Sequence, residues 1–281
     1  MQAIEAIREG LAVLQAAGCS EPYRDAELLL MQAAGWTREH LYRDLQDPIG
    51  ADVLDEYRRL IGRRQSREPI SYIRGVKEFA GLEFDVTPDV LIPRPETELI
   101  VEKAIELAPR GGVLADAGTG SGNIAVAVAF ARGDLRVIAT DISPAAIAVA
   151  LGNARKHGVK DHVRLVRTSL LQCFRASCLD LVASNPPYVA TGDDQSALME
   201  EVRAYEPAVA LYAGKDGLTQ IRILIQQAAA CLKPGGWFLM ELGMGQGRAI
   251  LDMLDGRLWD DASLLEDLRG IQRVLKARKR P

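Results

Sequence analysis

From residue 112 onward, short apolar runs alternate with stretches of helical periodicity, and this alternation narrows the folds open to the chain more than any other feature. The runs Val113 to Ala117, Val137 to Thr140, Val163 to Val166, Leu179 to Ser184 and Trp237 to Leu242 read as strands. Between them, Asn123 to Ala131, Pro144 to His157 and Ile221 to Leu232 read as helices. Apolar strands joined by helices make a parallel sheet covered on both faces, so the expected class is α/β, doubly wound. No internal repeat or low-complexity segment interrupts the pattern.

The chain before this region has a different character. Up to about residue 68 apolar residues recur at helical spacing, as at Ile4, Ile7, Leu11 and Leu14, and again over Ala26 to Met31 and Val53 to Ile61. Breaks near "GCSEP", "AGWT" and "QDPIG" divide it into about four helices. Farther on, Phe79, Leu82, Phe84 and Val86 flank Gly81 as in a β-hairpin, while Pro93 and Pro95 delay the next helix, which runs from Thr97 to Ala108. The expected division is a small helical bundle at 1–70, a linking hairpin at 71–95 and the sheet domain at 96–281.

With 281 residues, 48% hydrophobic and 26% charged, the chain can bury one large core and a smaller one. No apolar run approaches the ~20 residues that cross a bilayer, and the start "MQAIEAIREG" carries acids where a targeting presequence has none. A cytoplasmic protein without membrane attachment is expected. Cys19, Cys173, Cys178 and Cys231 form no CxxC pair and His40, His157 and His162 lie far from them, so no metal site is expected. A net charge of −4 and a pI near 5.6 give no general attraction to phosphate backbones, so stable nucleic-acid binding is not expected either. Two basic stretches, Arg58 to Arg67 and "KARKR" near the C-terminus, read as a solvated helix face and a frayed tail.

Three strand ends carry chemistry. The first strand runs into "DAGTGSGN", with Gly118, Gly120 and Gly122 where the chain turns into a helix; glycines there let a ligand approach the backbone and meet helix N-terminal N–H groups. Dinucleotide enzymes use similar turns, so the loop alone does not name the ligand. Asp141 closes the second strand, where a carboxylate can accept hydrogen bonds from both hydroxyls of a ribose; capping the helix after Ser143 is the alternative role. An adenosine-bearing cofactor follows from the pair.

The third end is "SNPPY", Ser184 to Tyr188. Its prolines hold the backbone in an extended shape and aim the Asn185 amide and the Pro186 carbonyl into the crevice at the strand ends. An amide or exocyclic amine is a poor nucleophile because its lone pair is delocalised. Two acceptors gripping its two N–H groups can point the nitrogen at an electrophile, and Tyr188 offers a flat ring to the planar group.

Taken together these residues resemble the class I methyltransferases that use S-adenosylmethionine, and more narrowly the protein-(glutamine-N5) methyltransferases that act on peptide chain release factors. "VLIPRPETELIVE", "DAGTGSG", "DISPAAIAVA", "SNPPYV", "EPAVALYAGKDGL", "LKPGGW" and "ELGMGQG" fall in the family's order over nearly the whole chain, and "PRPETE" is the most discriminating. The resemblance implies a Rossmann-like, mostly parallel methyltransferase sheet. It implies that Gly118, Thr119, Gly120, Ser121 and Gly122 wrap the methionine end of the cofactor and that Asp141, with Ile142 beside it, takes the ribose. Leu170 would pack on the adenine, with Ser169 standing where relatives usually carry Asp. Asn185, also beside the cofactor, would hold the substrate glutamine together with Pro186, Pro187 and Tyr188. In the family that glutamine lies in the Gly-Gly-Gln loop of class I release factors.

Other readings use the same residues. Enzymes that methylate a glutamine of a ribosomal protein share much of the set but look different at "PRPETE". Amino-methyltransferases acting on adenine in DNA share the Asn-Pro-Pro-aromatic motif, yet they must flip a base and hold a duplex, and the first 70 residues here hold a dozen acids against nine bases. A nicotinamide oxidoreductase would leave "NPPY" with nothing to do. A non-enzymatic scaffold is disfavoured because nothing is missing from the catalytic set.

Overall fold

Five helices precede the first strand: α1 (Ala3–Ala16), α2 (Pro22–Ala34), α3 (Arg38–Arg43), α4 (Ala51–Gln65) and α5 (Ile70–Arg74). The computed structural model describes residues 1–192 and 198–281, and in it Met1–Val76 forms one unit together with Leu198–Tyr205. The helix ends follow local chemistry. Pro22 opens α2, where its missing N–H costs nothing, and Gly35 closes it at a φ of 66°. The Thr37 hydroxyl caps α3 by accepting from the His40 N–H at 3.2 Å. Along α1, Ala3, Ala6, Ile7, Gly10 and Leu14 make one buried stripe. A Cβ on Gly10 would stand 2.0 Å from Tyr57 Oη, so the glycine lets α1 close on α4.

Within this unit the basic stretch Arg58 to Arg67 meets the expected solvated face only in part: Arg58 and Arg59 are exposed, while Arg64 is buried and Arg67 half-buried. Arg64 is only 4% exposed, and its guanidinium donates to Asp25 at 2.7 Å and to Glu201 at 3.2 Å. Arg67 donates to the same Glu201 at 2.8 Å. A buried cation persists where carboxylates pair with it, and here one of them arrives from Leu198–Tyr205, a segment whose sequence did not set it apart from the sheet region.

From Lys77 onward, Leu198–Tyr205 excepted, the described residues form the second unit. A hairpin of β1 (Val76–Phe79) and β2 (Leu82–Asp85) turns on Ala80 and Gly81, at φ 49° and 74°, as a two-residue turn between twisted strands demands. A 3₁₀ turn, Pro95–Thr97, then leads into α6 (Glu98–Leu107). The following elements are β3 (Val113–Ala117), α7 (Asn123–Ala131), β4 (Arg136–Asp141), α8 (Pro144–Lys156), β5 (Val163–Arg167) and β6 (Leu179–Ser184). After α9 (Glu200–Tyr205), which belongs to the first unit, come α10 (Ala208–Leu211), α11 (Thr219–Cys231), β7 (Leu232–Glu241), α12 (Gly247–Asp252), β8 (Trp259–Glu266) and β9 (Gln272–Lys279).

The sheet has the order β5-β4-β3-β6-β7-β9-β8, parallel through β7 and antiparallel at β9 and β8. This is the doubly wound, mostly parallel sheet the sequence predicts. Both faces are buried: Leu114, Leu181 and Leu239 join one apolar core, and their chain neighbours Ala115, Val182, Phe238 and Met240 join the other. The chain enters at β3 in the middle, moves outward through β4 and β5, and returns to β6 on the other side of β3. Connections therefore part between the ends of β3 and β6, which opens a crevice there.

The C-terminal region corrects two expectations. The strand expected from Trp237 already begins at Leu232, and "KARKR" is no frayed tail, since Lys276 to Lys279 lie in β9 with Lys276 opposite Leu239 and Ala277 opposite Phe238. Val274, Leu275 and Ala277 supply buried anchors, while Lys276 and Arg278 lie over the Trp237 ring, 5.2 and 5.6 Å from its centre. Among the described residues no helix is long and apolar enough to cross a membrane.

Candidate active site

Register brings two of the motifs together. Asp116 of β3 lies level with Ala183 of β6, so the glycine loop and the Asn-Pro-Pro-Tyr segment leave the sheet side by side, and Gly118 and Asn185 line one cleft.

The glycine loop is tied to its neighbour strand. The N–H groups of Gly118 and Thr119 both donate to the Thr140 carbonyl at 2.8 Å. Gly118 and Gly120 hold φ of 76° and 54°, and a Cβ on either would meet nothing within 4 Å, so the space beside them is open to a ligand. Gly122 serves packing instead. A Cβ there would stand 3.1 Å from Ala150 Cβ, which places this glycine under α8 and outside the lining of the cleft. Thr119 and Ser121 line the cleft but turn their hydroxyls into the loop, Thr119 to Asp116 Oδ2 at 2.6 Å and Ser121 to Asn123 Oδ1 at 3.4 Å. Full burial pushes the Asp116 carboxyl up to about 7 and leaves its Oδ1 without a partner.

Asp141 accepts from the Gly120 N–H on Oδ2 and from the Ser143 N–H on Oδ1, each at 2.9 Å. A carboxylate oxygen takes about two hydrogen bonds, so each retains one free direction. Ile142, 56% exposed, lines the cleft next to it. Ser169 and Leu170 reach the cleft from the loop after β5. Leu170 holds a φ of 47°, costly for a branched side chain, and the loop is fixed there by Thr140 Oγ1 donating to its carbonyl at 2.8 Å and by the Leu171 N–H donating to Gln227 at 2.9 Å.

The segment after β6 is held at every residue but the prolines. Ser184 Oγ donates to the Ala117 carbonyl at 2.6 Å, Asn185 Nδ2 to Thr97 Oγ1 at 3.1 Å and the Tyr188 hydroxyl to Glu241 at 3.3 Å. The Tyr188 carbonyl accepts from Gln246 Nε2 at 2.9 Å, and Val189 bridges to Tyr212. Asn185 Oδ1 is buried and has no hydrogen-bond partner. Glu241 is 2% exposed, and burial, opposed by the Thr97 hydrogen bond, raises its carboxyl to about 7. Burial also raises the Tyr188 phenol, with the charge of Glu241 adding to it.

Asn185 and Pro187 line the cleft; Pro186 and Tyr188 do not. The Tyr188 ring packs against the apolar core beside β7 and spends its hydroxyl on Glu241, a less open position than a face offered to a planar ligand. Reasoning from sequence missed Thr97, Glu241, Gln246 and Gly217. All but Gly217 lie within "PRPETE" and "ELGMGQG", motifs whose single residues carried no assigned role, and Gly217 lies in "EPAVALYAGKDGL". Arg94 also lines the cleft and pairs with the buried carboxylate of Glu206, which accepts in addition from the Ile92 N–H at 3.4 Å.

Comparison with known proteins supplies independent findings. The family described as PrmC N-terminal domain matches residues 5–75, and that described as Methyltransferase small domain matches residues 94–208. The release factor glutamine methyltransferase of Geobacter sulfurreducens is 43% identical over 254 residues, covering 90% of this chain and 88% of that protein. The one from Cereibacter sphaeroides is 40% identical over 280 residues, covering 99% of both. Among solved structures, the hMettl16 catalytic domain in complex with MAT2A 3'UTR hairpin 6 matches with a TM-score of 0.53 at 19% identity, over 70% of this chain and 75% of that one, a likeness of fold.

Proposed function

The chain belongs to the release factor glutamine methyltransferases, and from that premise we propose that it methylates the side-chain amide nitrogen, N5, of the glutamine in the Gly-Gly-Gln motif of class I release factors. The observation that carries this reading is Asn185 Oδ1, a buried acceptor without a partner on a side chain whose Nδ2 is already engaged. A buried acceptor left unpaired costs about 1–3 kcal/mol, and an incoming N–H relieves that cost.

The cofactor is S-adenosylmethionine, and the residues fit it. Gly118 and Gly120 leave open room over the loop, and Asp141 keeps a free direction on each oxygen for ribose hydroxyls. When bound, it supplies a sulfonium methyl group for transfer. Ile142 and Leu170 offer apolar surface to an adenine, and Ser169 offers a hydroxyl in place of a carboxylate.

Orientation is this chain's contribution to the chemistry. Asn185 Oδ1 would accept from one N–H of the glutamine amide, and the second acceptor the sequence suggests is the carbonyl of Pro186, a residue outside the cleft lining; together they would turn the nitrogen toward the methyl donor. As the nitrogen bonds to carbon it becomes cationic and its N–H groups more acidic, so the two acceptors grip harder in the transition state than in the ground state. Transfer would break the sulfur–methyl bond as the nitrogen–methyl bond forms, leaving a neutral thioether, and the proton given up by the nitrogen would pass to solvent. Deleting the Asn185 acceptor lets the amide rotate out of line.

We place this activity in the cytoplasm and on a protein substrate. The net charge of −4 supports a protein rather than a nucleic acid. Mass spectrometry of a release factor incubated with enzyme and S-adenosylmethionine tests it: one added methyl group on the glutamine of the Gly-Gly-Gln peptide is expected, and an unmodified glutamine would overturn the reading.

A further inference from the structure

We propose that Thr97 and Glu241 are positioning residues that decide which end of the Asn185 amide faces the substrate, and so make the site select an amide over a carboxylate. The selectivity claim rests on the function proposed above; the orientation claim stands on geometry alone.

Three elements meet at this point. Thr97 ends the 3₁₀ turn before α6, Glu241 ends β7, and Asn185 follows the last residue of β6, which pairs Ser184 with Met240. Thr97 is fully buried and Glu241 nearly so. The hydrogen bonds run in one direction: Asn185 Nδ2 donates to Thr97 Oγ1, Thr97 Oγ1 donates to Glu241 Oε2, and the Tyr188 hydroxyl donates to Glu241 Oε1.

That direction has a cause. A carboxylate only accepts, and a hydroxyl has a single hydrogen. With Glu241 ionised, as it is above about pH 7, Thr97 gives its hydrogen to Glu241, so toward Asn185 it can only accept. Of the two ends of the Asn185 amide, only the nitrogen suits an acceptor, and Oδ1 is turned the other way, buried and unpartnered. Reversing the amide would set Oδ1 against an oxygen with no hydrogen to offer. The carboxylate of Glu241 thus fixes, through one hydroxyl, the polarity of a group it does not touch. Oδ1, buried without a partner on a residue that lines the cleft, then requires an N–H donor from whatever is seated there, and a substrate carboxylate would face acceptor against acceptor.

Replacing the carboxylate by an amide removes the direction. In Glu241→Gln the introduced amide can donate to Thr97, whose hydrogen is then free for Asn185 Oδ1, and Asn185 turns its Nδ2 toward the substrate. Thr97→Val keeps the shape and removes the link, whereas Thr97→Ser keeps the link.

The chain has three asparagines, Asn123, Asn153 and Asn185, so asparagine labelled with nitrogen-15 gives three side-chain amide signals, and Asn185→Asp identifies the third. We expect the Asn185 amide protons to shift in Thr97→Val and Glu241→Gln and to stay in place in Thr97→Ser, with S-adenosylmethionine affinity by calorimetry unchanged in all. Methylation of a release factor should fall about tenfold or more in kcat/KM in the first two variants and less than about twofold in Thr97→Ser. A release factor carrying glutamate for the Gly-Gly-Gln glutamine should inhibit Glu241→Gln at least about tenfold more strongly than wild type. Asn185 signals that do not move in either variant overturn the inference whatever the substrate. Wild-type kcat/KM in Thr97→Val, or unaltered inhibition by the glutamate form in Glu241→Gln, overturns it too. A wild-type enzyme that leaves the release factor unmodified fails the functional reading instead, and the amide signals then decide the orientation claim.

Discussion

Asp141 receives the Gly120 and Ser143 N–H groups, which hold the loop, and in the proposed site its remaining acceptor directions would take the cofactor's ribose hydroxyls. Charge-assisted hydrogen bonds are worth roughly 1.5–3 kcal/mol each, so Asp141→Ala should lower S-adenosylmethionine affinity at least about tenfold by calorimetry. Unchanged affinity in a folded variant would remove Asp141 from the cofactor site. Two buried carboxyls stand at about 7, Asp116 under the glycine loop and Glu241, and Glu241 is the one linked through Thr97 to Asn185. Thr97 and Glu96 face Glu241 from the segment before α6, Tyr188 from the loop after β6 and Arg273 from β9, and its carboxyl stands at about 7 in place of the ordinary 4.5. The folded state thus holds a proton that the unfolded chain has released, so this group's contribution to stability is largest below about 4.5 and declines as pH rises toward about 7. Activity runs the other way, because only the carboxylate accepts from both Thr97 and Tyr188: kcat should rise through pH 7 in wild type, and Glu241→Gln should lose that rise. A flat wild-type profile between pH 6 and 8 would separate Glu241 from turnover. Asp141 and Asn185 were legible in the sequence because each stands at a strand end, where period and punctuation can be read. Thr97 and Glu241 were not, since 144 residues separate them and only the sheet makes them neighbours.

At the scale of elements, legibility followed burial. The apolar runs of β3, β4 and β6, buried on both faces, announce themselves, and the doubly wound order then fixes where a cleft opens. Strand β8 does not, because "WDDASLLE" lacks a two-residue alternation: Asp261 and Ala262 are exposed in succession and Ser263, Leu264 and Leu265 half-buried in succession. In β9 the apolar residues are interleaved with Lys276, Arg278 and Lys279, which hides the strand inside a charge run. The loop before α11 (Thr219–Cys231) shows how an element without chemistry still sets the site. Gly217 has a φ of 70°, and a Cβ on it would lie 2.3 Å from the Tyr188 carbonyl, the same carbonyl that Gln246 holds. Gly217→Ala must therefore both strain its own backbone and push the Asn-Pro-Pro-Tyr segment. A loss of more than ~1 kcal/mol in stability is expected from the backbone alone, and a displacement of the acceptors of order 1 Å can cost about 10²-fold in turnover. S-adenosylmethionine binding should survive, because none of the glycine-loop hydrogen bonds involves this residue. A variant with wild-type Tm and full turnover would show that the segment is not held as rigidly as its hydrogen bonds imply.

The described residues fall into a helical unit without a cofactor motif and a sheet unit that carries both the glycine loop and Asn185. Because the glycine loop and Asn185 follow adjacent parallel strands, the proposed site has a separation between methyl donor and amide acceptor set by the sheet, and a substrate side chain would have to match it in length. Glutamine places its amide at the end of two methylenes; asparagine, one methylene shorter, should fall short of in-line contact while still offering the right hydrogen bonds. Glutamate has the right length and the wrong polarity, since its carboxylate has no N–H for Asn185 Oδ1 and the Pro186 carbonyl, and a site built for such donors rejects an analogue without them by about 10⁴–10⁵-fold. Adenine in a duplex has the right nitrogen but must be flipped out and held against phosphate repulsion by a chain of net charge −4. The expected result with labelled S-adenosylmethionine is therefore incorporation into a release factor bearing Gly-Gly-Gln and none into its asparagine, glutamate or alanine variants or into DNA, all offered at equal concentration. Label in the asparagine variant at a rate near that of glutamine would mean that the clamp is looser than the sheet allows, and label in DNA would move the chain to a different substrate class with the same acceptors.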